Sequence, residues 1–398
     1  MFISPGSKSS VNSELMKNMK NPIPFNKPYL SGRELEYIEK AVSSGKISGD
    51  GIFTMLCHSF FESKYGFGKT LLTSSCTDAL EMCAILMNIQ AGDEVILPSY
   101  TFVSTANAFA LRNAKLVFVD SMEGHPNMDV SAIEPLITER TRAIVAVHYA
   151  GHACDMDSIM QIADRYGLYV VEDAAQAIDA YYKGVPLGSI GHLAAFSFHE
   201  TKNIIAGEGG MLVINDARFH SRAEIIREKG TNRSQFFRGE VDKYGWVDIG
   251  SSFLPSDIIA AYLYAQLECL DRIQERRVLL WNTYHEAFEQ LHFSGCLKRP
   301  KVPSFSTNNA HAYYLICRSL EERTALIGYL KDAGIGAVFH YLSLHRSEFY
   351  QAKHDGRVLL NSDIYTDCLV RLPMYYELSL DEVGSIADAV RTFFETYR

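Results

Sequence analysis

The chain has 398 residues, a formal net charge of −9 at pH 7, 47% hydrophobic residues and 21% charged residues. That length exceeds what one hydrophobic core usually serves, so we expect two domains in an ordinary globular protein. The acidic balance argues against a nucleic-acid-binding protein, whose footprint would be a basic surface. It leaves room for a local basic pocket that binds a small anion.

Eight cysteines are scattered without C-x-x-C spacing, which indicates neither a zinc knuckle nor a redox motif. Free thiols in a large chain favour a reducing cytoplasm. No apolar run approaches the roughly 20 residues that span a bilayer, and the polar residues 1–20 lack the apolar segment of a secretory signal. We therefore expect a cytoplasmic protein without metal, membrane or nucleic-acid contacts, and a disordered extension over residues 1–22.

Two helices are expected before the first strand. Ser31 precedes an amphipathic stretch over residues 32–43, and Glu34 follows three residues later, which is the pattern of a capping box. A glycine-rich turn at residues 49–51 ends this unit. Residues 53–65 form a second amphipathic pattern.

From Leu71 onward, short apolar runs alternate with helical patterns. Continuous β-branched runs separated by helices predict a mostly parallel sheet that is buried on both faces. Ligands gather beyond the carboxyl ends of the strands in such sheets. The strands are expected at residues 94–97, 116–119, 143–147, 169–171, 193–198 and 211–214, and the helices near 77–88, 104–112 and 158–166.

The pattern changes after this α/β region. Residues 230–249 are polar, basic and aromatic at once and interrupt the alternation. A long helix with a break is expected over 256–289, followed by strands at 313–317 and 337–339 and helices at 321–332 and 380–397. We expect a large domain over residues 23–255 and a smaller α+β domain over residues 256–398.

A single lysine follows the apolar run of residues 193–198. Lys202 stands between this run and the glycines at 207–210. Partial burial would disfavour the ammonium form and lower its pKa, so the nitrogen could attack an aldehyde. The alternative is an exposed loop lysine, the commoner state of this residue. The glycines precede a strand instead of following one, so they are not a dinucleotide-binding loop.

Two polar features fall at other strand ends. Small hydroxylated residues at 73–77 open a helix, whose free amides and dipole favour an anion such as phosphate. The alternative there is an ordinary N-cap by Ser75 or Thr77. Asp173 ends a hydrophobic strand, and a buried carboxylate is costly unless it pairs with a cation such as a protonated pyridine nitrogen. The alternative is an aspartate that caps the next helix.

Two further side chains complete the set. Phe102 follows a strand end, where its ring could stack on a flat cofactor, although core packing is the commoner role of phenylalanine. The Ser197 hydroxyl could join the phosphate site or bond to the backbone. Together these residues match the functional groups of pyridoxal 5'-phosphate (PLP). They offer an anion site at the start of a helix, an aromatic ring, a carboxylate and a lysine.

Three motifs carry a resemblance that extends over nearly the whole chain from about Ile23. They are PSYTFVSTANA at residues 98–108, VEDAAQ at 171–176 and FSFHETKN at 196–203. With them the sequence resembles the DegT/DnrJ/EryC1/StrS family of sugar-nucleotide aminotransferases. The resemblance implies an α/β protein with the PLP-dependent type I (aspartate aminotransferase) fold, in which a mostly parallel central sheet forms the large domain and a smaller α+β domain follows.

The resemblance also implies how the cofactor is held. Lys202 would form the Schiff base with the cofactor, and Asp173 would pair with its pyridinium nitrogen. Gln176 would contact the region of the phenolic oxygen, and Phe102 would stack on the ring.

The phosphate site implied by the resemblance combines two parts of the chain. The backbone amide of Cys76 and the hydroxyls of Thr77 and Ser197 would bind the phosphate. Many family members add an asparagine of the partner subunit in a Gly-x-Asn pattern, and this chain offers Ser252 after Gly250 in that place. A homodimer with shared active sites is implied.

For the substrate, residues 227–239 favour family members that aminate dTDP-4-dehydro-6-deoxy-D-glucose at C4 with L-glutamate. The product would be dTDP-4-amino-4,6-dideoxy-D-galactose, for a bacterial surface polysaccharide such as an O-antigen or the enterobacterial common antigen. The cations for the sugar's diphosphate would come from Arg227, Lys229, Arg233 and Arg238, unless these form a solvated basic loop. His340, Tyr341 and His345 could face the sugar or pack in the core.

Several alternatives stay open. Amination at C3, or at C4 with gluco configuration, would use the same residues. A dehydratase of the same family would carry histidine in the place of Lys202, which argues against that activity. A catalytically idle, aminotransferase-like regulatory or binding protein is an alternative of a different class, against which the presence of both Lys202 and Asp173 argues.

Overall fold

A computed structural model describes residues 22–397 of the chain. The disordered extension expected over residues 1–22 lies outside the described residues, apart from Pro22. Within the described range, no helix is both long enough and apolar enough to cross a membrane.

Strands and helices follow one another along the whole described range. The strands are β1 (Thr70–Thr73), β2 (Glu94–Pro98), β3 (Lys115–Val119), β4 (Ser121–Met122), β5 (His125–Met128), β6 (Thr141–Val147), β7 (Tyr169–Asp173), β8 (Tyr181–Tyr182), β9 (Val185–Pro186), β10 (Leu193–Ser197), β11 (Gly210–Ile214), β12 (Tyr314–Ile316), β13 (Val338–Phe339) and β14 (Leu369–Arg371). The helices are α1 (Glu34–Ser43), α2 (Ile52–Tyr65), α3 (Cys76–Leu86), α4 (Val103–Ala110), α5 (Met156–Tyr166), α6 (His220–Arg227), α7 (Arg233–Phe237), α8 (Asp257–Leu267), α9 (Leu270–Ala287), α10 (Glu289–Phe293), α11 (Leu320–Asp332), α12 (Leu360–Cys368) and α13 (Leu380–Thr396).

A seven-stranded sheet in the order β1-β11-β10-β7-β6-β2-β3 forms the centre of the molecule. Strands β10, β7, β6, β2 and β3 pair in parallel, so the predicted, mostly parallel sheet is confirmed. Strand β11 is the exception, because it runs antiparallel to both of its neighbours. The loop between β10 and β11 contains no helix that could carry the chain across the sheet, so β11 returns beside β10 in the opposite direction.

The central sheet is buried on both faces. Successive residues of its strands point to opposite sides: Ile144 and Val170 pack into one hydrophobic core, and Val145 and Val171 pack into another. Burial of each such side chain contributes roughly 1.5–3 kcal/mol to folding. The two cores therefore fix the faces of the strands and, with them, the side chains that project beyond the strand ends.

A third core lies under the antiparallel sheet of strands β12, β14 and β13. It contains residues of α9, α11 and α13, and Ile23 joins it by pairing with Ile335. Helix α8 instead packs against α1 and α2 beside the central sheet. The division of the chain at residue 256 stays a prediction, and from this packing we propose that the two domains meet within α9.

The expected helix and strand boundaries differ from the structure by two residues or fewer. The capping box predicted for α1 is only half formed, because Arg33 precedes the helix in the N-cap position and Gly32 has the left-handed φ of 105°. The Glu34 carboxylate still accepts hydrogen bonds from the amides of Ser31 and Gly32. The segment 230–249, expected to be irregular, contains the short helix α7.

Candidate active site

Lys202 lies in the loop that joins β10 to β11. Backbone hydrogen bonds close this loop on itself, from Phe198 to Gly209 (2.9 Å) and from Glu200 to Gly207 (2.9 Å), while the Lys202 amide donates to the carbonyl of His199 (2.9 Å). Burial lowers the pKa of the Lys202 amine, and the nearby Cys76 and Asp173 oppose that shift. The structure therefore holds Lys202 beyond the carboxyl end of β10, where burial makes its ammonium form less favourable than in water.

Asp173 is the last residue of β7, and only 5% of it is exposed. Its carboxylate accepts hydrogen bonds from Thr105 Oγ1 (2.7 Å) and from the Ala175 amide (3.2 Å). Burial raises the pKa of Asp173, and the hydrogen bond from Thr105 opposes this. A buried carboxylate held by neutral donors would gain from a cationic partner.

Helices α3 and α4 begin side by side next to Lys202 and Asp173. Ser75 caps α3 by accepting from the Asp78 amide (3.1 Å), and the Thr77 hydroxyl donates to Ser104 of α4 (2.8 Å). The predicted N-cap is thus present, and it leaves the amides of Cys76 and Thr77 free for an anion.

Gly210 brings strand β11 close to the start of α3. A Cβ atom at Gly210 would lie 2.4 Å from the Cys76 nitrogen, so only glycine allows this approach. Gly210 pairs with Ser197 across the sheet. The structure thus brings together the three residues predicted to bind phosphate, namely Cys76, Thr77 and Ser197.

Phe102 and Gln176 lie on either side of Tyr341. The ring of Phe102 precedes α4, is 54% exposed and lies 6.0 Å from the ring of Tyr341, so it is not a core residue. The Gln176 amide is buried and donates to the Tyr341 hydroxyl (2.9 Å). The charge of Asp173 acts on Tyr341, so these side chains lie near the buried carboxylate.

The residues present fit PLP. A buried carboxylate at Asp173 suits a protonated ring nitrogen, a buried amine at Lys202 suits the aldehyde, and the free amides at the start of α3 suit the phosphate. The close approach of Gly210 to Cys76 leaves that helix end open to a ligand instead of covering it with a side chain. These residues could therefore hold the cofactor.

The four basic residues predicted for the substrate's diphosphate do not form one cluster. Arg227 is buried, where its guanidinium donates to Asp50 (2.6 Å) and to the Leu72 carbonyl (3.3 Å). Arg233 pairs with Glu228 (2.7 Å), and Arg238 pairs with carboxylates at 224 and 240. Lys229 is exposed and has the left-handed φ of 66°.

The other predicted residues divide between the pocket and its surroundings. His340 is buried and its Nδ1 lies 2.8 Å from the Tyr149 hydroxyl. His345 is also buried, 2.7 Å from the Ser99 hydroxyl, and burial lowers its pKa. Ser252 is exposed and its backbone pairs with Glu228. The carbonyl of the next residue, Phe253, accepts from the Ser74 amide (2.9 Å), just before the N-cap of α3.

Sequence reasoning missed two groups of residues at this site. Thr105 holds the Asp173 carboxylate, and its signal was a polar residue on the buried face of α4. Asn203, Gln274 and His311 hold the Lys202 loop through side-chain hydrogen bonds. No local pattern indicates the second group, because its members come from distant parts of the chain.

A sequence profile of the DegT/DnrJ/EryC1/StrS aminotransferase family matches residues 28–391. The chain is 34% identical over 379 residues to the uncharacterized protein MJ1066 of Methanocaldococcus jannaschii, across 92% of this chain and 96% of that protein. It is 32% identical over 381 residues to the spore coat polysaccharide biosynthesis protein SpsC of Bacillus subtilis, across 93% and 96% of the two chains.

The fold is also that of solved aminotransferase structures. Spr1654 of Streptococcus pneumoniae in its PMP form matches with a TM-score of 0.86 at 26% identity, across 94% of this chain and 99% of that chain. Its PLP form gives a TM-score of 0.85. The profile match, the identities and a pocket that fits PLP together lead to one conclusion: this chain belongs to the DegT/DnrJ/EryC1/StrS aminotransferase family and is a PLP-dependent sugar aminotransferase.

Proposed function

We propose that the enzyme transfers the amino group of L-glutamate to C4 of dTDP-4-dehydro-6-deoxy-D-glucose. The products are 2-oxoglutarate and dTDP-4-amino-4,6-dideoxy-D-galactose. The observation that carries the amino-transfer chemistry is the convergence of Lys202, Asp173 and the first turn of α3 on one pocket. The sugar, its carbon and the stereochemistry rest on the resemblance of residues 227–239 to family members with this activity.

In this proposal each residue has a distinct task. PLP, when bound, accepts the amino group from the donor and passes it to the keto-sugar. Lys202, whose pKa is lowered by burial, removes the proton from Cα of the donor and later returns a proton to C4 of the sugar. Asp173 keeps the proton on the ring nitrogen.

The cofactor's remaining groups meet the other predicted residues. Gln176 contacts the phenolic oxygen and Phe102 stacks on the ring. The phosphate lies on the amide of Cys76 and the hydroxyls of Thr77 and Ser197. Ser252 would reach the phosphate from the partner subunit of a homodimer.

For the diphosphate of the sugar nucleotide we favour Lys229, Arg233 and Arg238. Arg227 is left out because it is buried and already bonded to Asp50. The exposed members of the set lie on a segment that follows α6, and their own carboxylate partners could exchange for phosphate in water, where surface ion pairs are weak.

The cellular setting is also a proposal. Eight free cysteines support a reducing cytoplasm. The relative SpsC, named for spore coat polysaccharide biosynthesis, supports a role in a bacterial surface polysaccharide, for which the O-antigen and the enterobacterial common antigen are the candidates. The keto-sugar and glutamate would be the only small-molecule partners besides PLP.

Product analysis tests the proposed reaction. The enzyme is incubated with PLP, L-glutamate and dTDP-4-dehydro-6-deoxy-D-glucose, and NMR determines the position and configuration of the new amine in the product. The Lys202→Ala variant is the control. An axial amine at C4 supports the proposal. An equatorial amine at C4, or an amine at C3 when the 3-keto isomer is supplied, would reassign the substrate. No amino transfer to any keto-sugar would favour a binding or regulatory protein.

A further inference from the structure

Three groups in the pocket form a hydrogen-bond chain that ends at Tyr341. The Ala150 amide donates to Gln176 Oε1 (2.6 Å). The Gln176 Nε2 group donates to the Tyr341 hydroxyl oxygen (2.9 Å). Ala150 and Gln176 are both buried.

The direction of this chain follows from its first member. A backbone N–H can only donate, so the oxygen of the Gln176 amide faces Ala150 and the nitrogen faces Tyr341. The Tyr341 oxygen therefore accepts, and its own proton is left for another acceptor. Within residues 22–397 the Tyr341 hydroxyl donates to no group of the protein. Burial raises the pKa of Tyr341, so the phenol keeps its proton.

Both ends of the chain have an unusual backbone. Ala150 has φ 55° and Tyr341 has φ 54°, in the left-handed region that residues other than glycine adopt only at a cost in free energy. Such strain persists where the surrounding structure enforces it, and it concentrates at functional sites. At this site it presents the Ala150 amide to one end of the Gln176 side chain and the Tyr341 phenol to the other.

The Tyr341 ring is held from two sides. The His340 ring lies 3.5 Å from it, centroid to centroid, and His340 is itself bonded to Tyr149. The exposed Phe102 ring lies 6.0 Å away. Because Gln176 bonds to the oxygen and His340 packs on the ring, the hydroxyl proton is directed away from Gln176, and the charge of Asp173 is near enough to act on this phenol.

We propose that the Tyr341 hydroxyl donates a hydrogen bond to the carbonyl oxygen of the keto-sugar in the half-reaction that aminates the sugar. This inference rests on the proposed function. In that half-reaction the carbonyl oxygen leaves as water, so it needs a donor as negative charge develops on it. In the half-reaction with glutamate an oxygen enters only at the end, when water releases 2-oxoglutarate, which follows the proton transfer that changes the absorbance of the cofactor. Gln176 retains a second N–H for the cofactor's phenolic oxygen, which leaves Tyr341 to the substrate.

The test separates the two half-reactions of the holoenzyme. Tyr341→Phe keeps the ring and removes the donor. The first half is followed by the absorbance change of the bound cofactor after mixing with glutamate. The second half is followed after mixing the amino form of the enzyme with the keto-sugar. We expect the second half to slow by about 10²-fold and the first half to stay within about twofold.

Tyr365→Phe is the matched control. Tyr365 is buried near Tyr100 and donates to the Met122 carbonyl (2.8 Å), so its change should spare both rates. Equal slowing of both halves by Tyr341→Phe would indicate a structural or cofactor-directed role and would overturn the inference, as would an unchanged second half. Thermal unfolding of both variants shows whether either has lost its fold.

The substrate is controlled separately. The second half-reaction is run with 4-keto and with 3-keto dTDP-6-deoxy sugars. The rate of Tyr341→Phe is compared with that of the parent enzyme on whichever sugar the parent aminates. A parent enzyme that accepts only the 3-keto sugar would refute the proposed function, yet the ratio of the two half-reaction rates would still decide the role of Tyr341.

Discussion

The side-chain oxygen of Asn203 lies 2.9 Å from Nδ1 of His311. The Asn203 amide nitrogen donates to Gln274 Oε1 (2.8 Å) and to the Asn309 carbonyl (2.9 Å). The oxygen must therefore accept from His311, whose ring then carries its proton on Nδ1. Asn203 directly follows Lys202, so this buried amide ties the catalytic loop to α9 and to the small domain.

Replacing Asn203 by alanine should remove the hydrogen bonds that connect the Lys202 loop to Gln274 and His311. The Asn203→Ala variant leaves Gln274 and His311 without their partner, which should cost about 1–3 kcal/mol of stability, measured by urea unfolding. It should also shift the pH at which the absorbance of the bound cofactor changes, because Lys202 is held less rigidly. Asn215→Ala is the control, since that amide bonds the carbonyls of Gly188 and Gly191 and should lose stability without the spectral shift.

Lys202 should be essential for proton transfer. Lys202→Ala should lower the rate of transamination by about 10²–10⁴-fold, the usual contribution of a positioned acid–base group, as measured by 2-oxoglutarate formation. Lys183→Ala removes an exposed lysine that pairs with Asp157 and should leave the rate unchanged. If the Lys202→Ala variant kept the parent rate, a residue other than Lys202 would be the base.

Asp173 should stabilise the bound cofactor through its charge. In Asp173→Asn the buried ring nitrogen loses its anionic partner, which should cost about 3–5 kcal/mol, or roughly 10²- to 4 × 10³-fold in affinity. A titration of the apoenzyme with PLP measures this. Thr105→Val, which removes only the hydrogen bond to that carboxylate, should weaken binding less. Equal affinities of Asp173→Asn and the parent would contradict the pairing.

Stability should fall as the pH drops below 6.5, in part because of His58. Burial lowers the pKa of His58 to about 3, and its Nε2 accepts from the Leu72 amide (2.9 Å). Since the unfolded chain titrates near 6.5, it binds more protons between these values, and stability is lost as pH falls through that window. Each unit should cost about 1.4 kcal/mol per such histidine.

A glutamine in place of His58 isolates this contribution. His58→Gln can still accept from the amide but cannot titrate. The free energy of unfolding, measured by urea titration between pH 5 and pH 7, should depend on pH less steeply by about one proton. The same slope in the variant and the parent would place the proton uptake elsewhere.

The proposed homodimer should depend on the exposed aromatic segment after α6. Trp246 is 84% exposed and Phe237 is 69% exposed. Trp246→Ser should weaken dimerisation by roughly 30-fold if the ring is an interface anchor, which contributes about 2 kcal/mol, as measured by sedimentation. Phe349→Ser removes an exposed ring of the small domain and should leave the association unchanged.

Most of the fold and several site residues could be predicted from the sequence. Buried strands of β-branched residues and amphipathic helices have local signatures. Asp173 is the last residue of a strand, and Lys202 and Phe102 each lie a few residues beyond one. The contacts that position these residues have no such signature. Gln176 and Tyr341 are 165 residues apart, and Asn203 and His311 are 108 apart, so their meeting depends on how the two domains pack.

The antiparallel direction of β11 has a consequence for changes in chain length. Ser197 and Gly210 form a residue pair between β10 and β11. This pair fixes both ends of the Lys202 loop. One extra residue in β11 would exchange Met211 and Leu212 between the two cores that they now fill. The segment should therefore accept many substitutions at its exposed positions but almost no insertion or deletion.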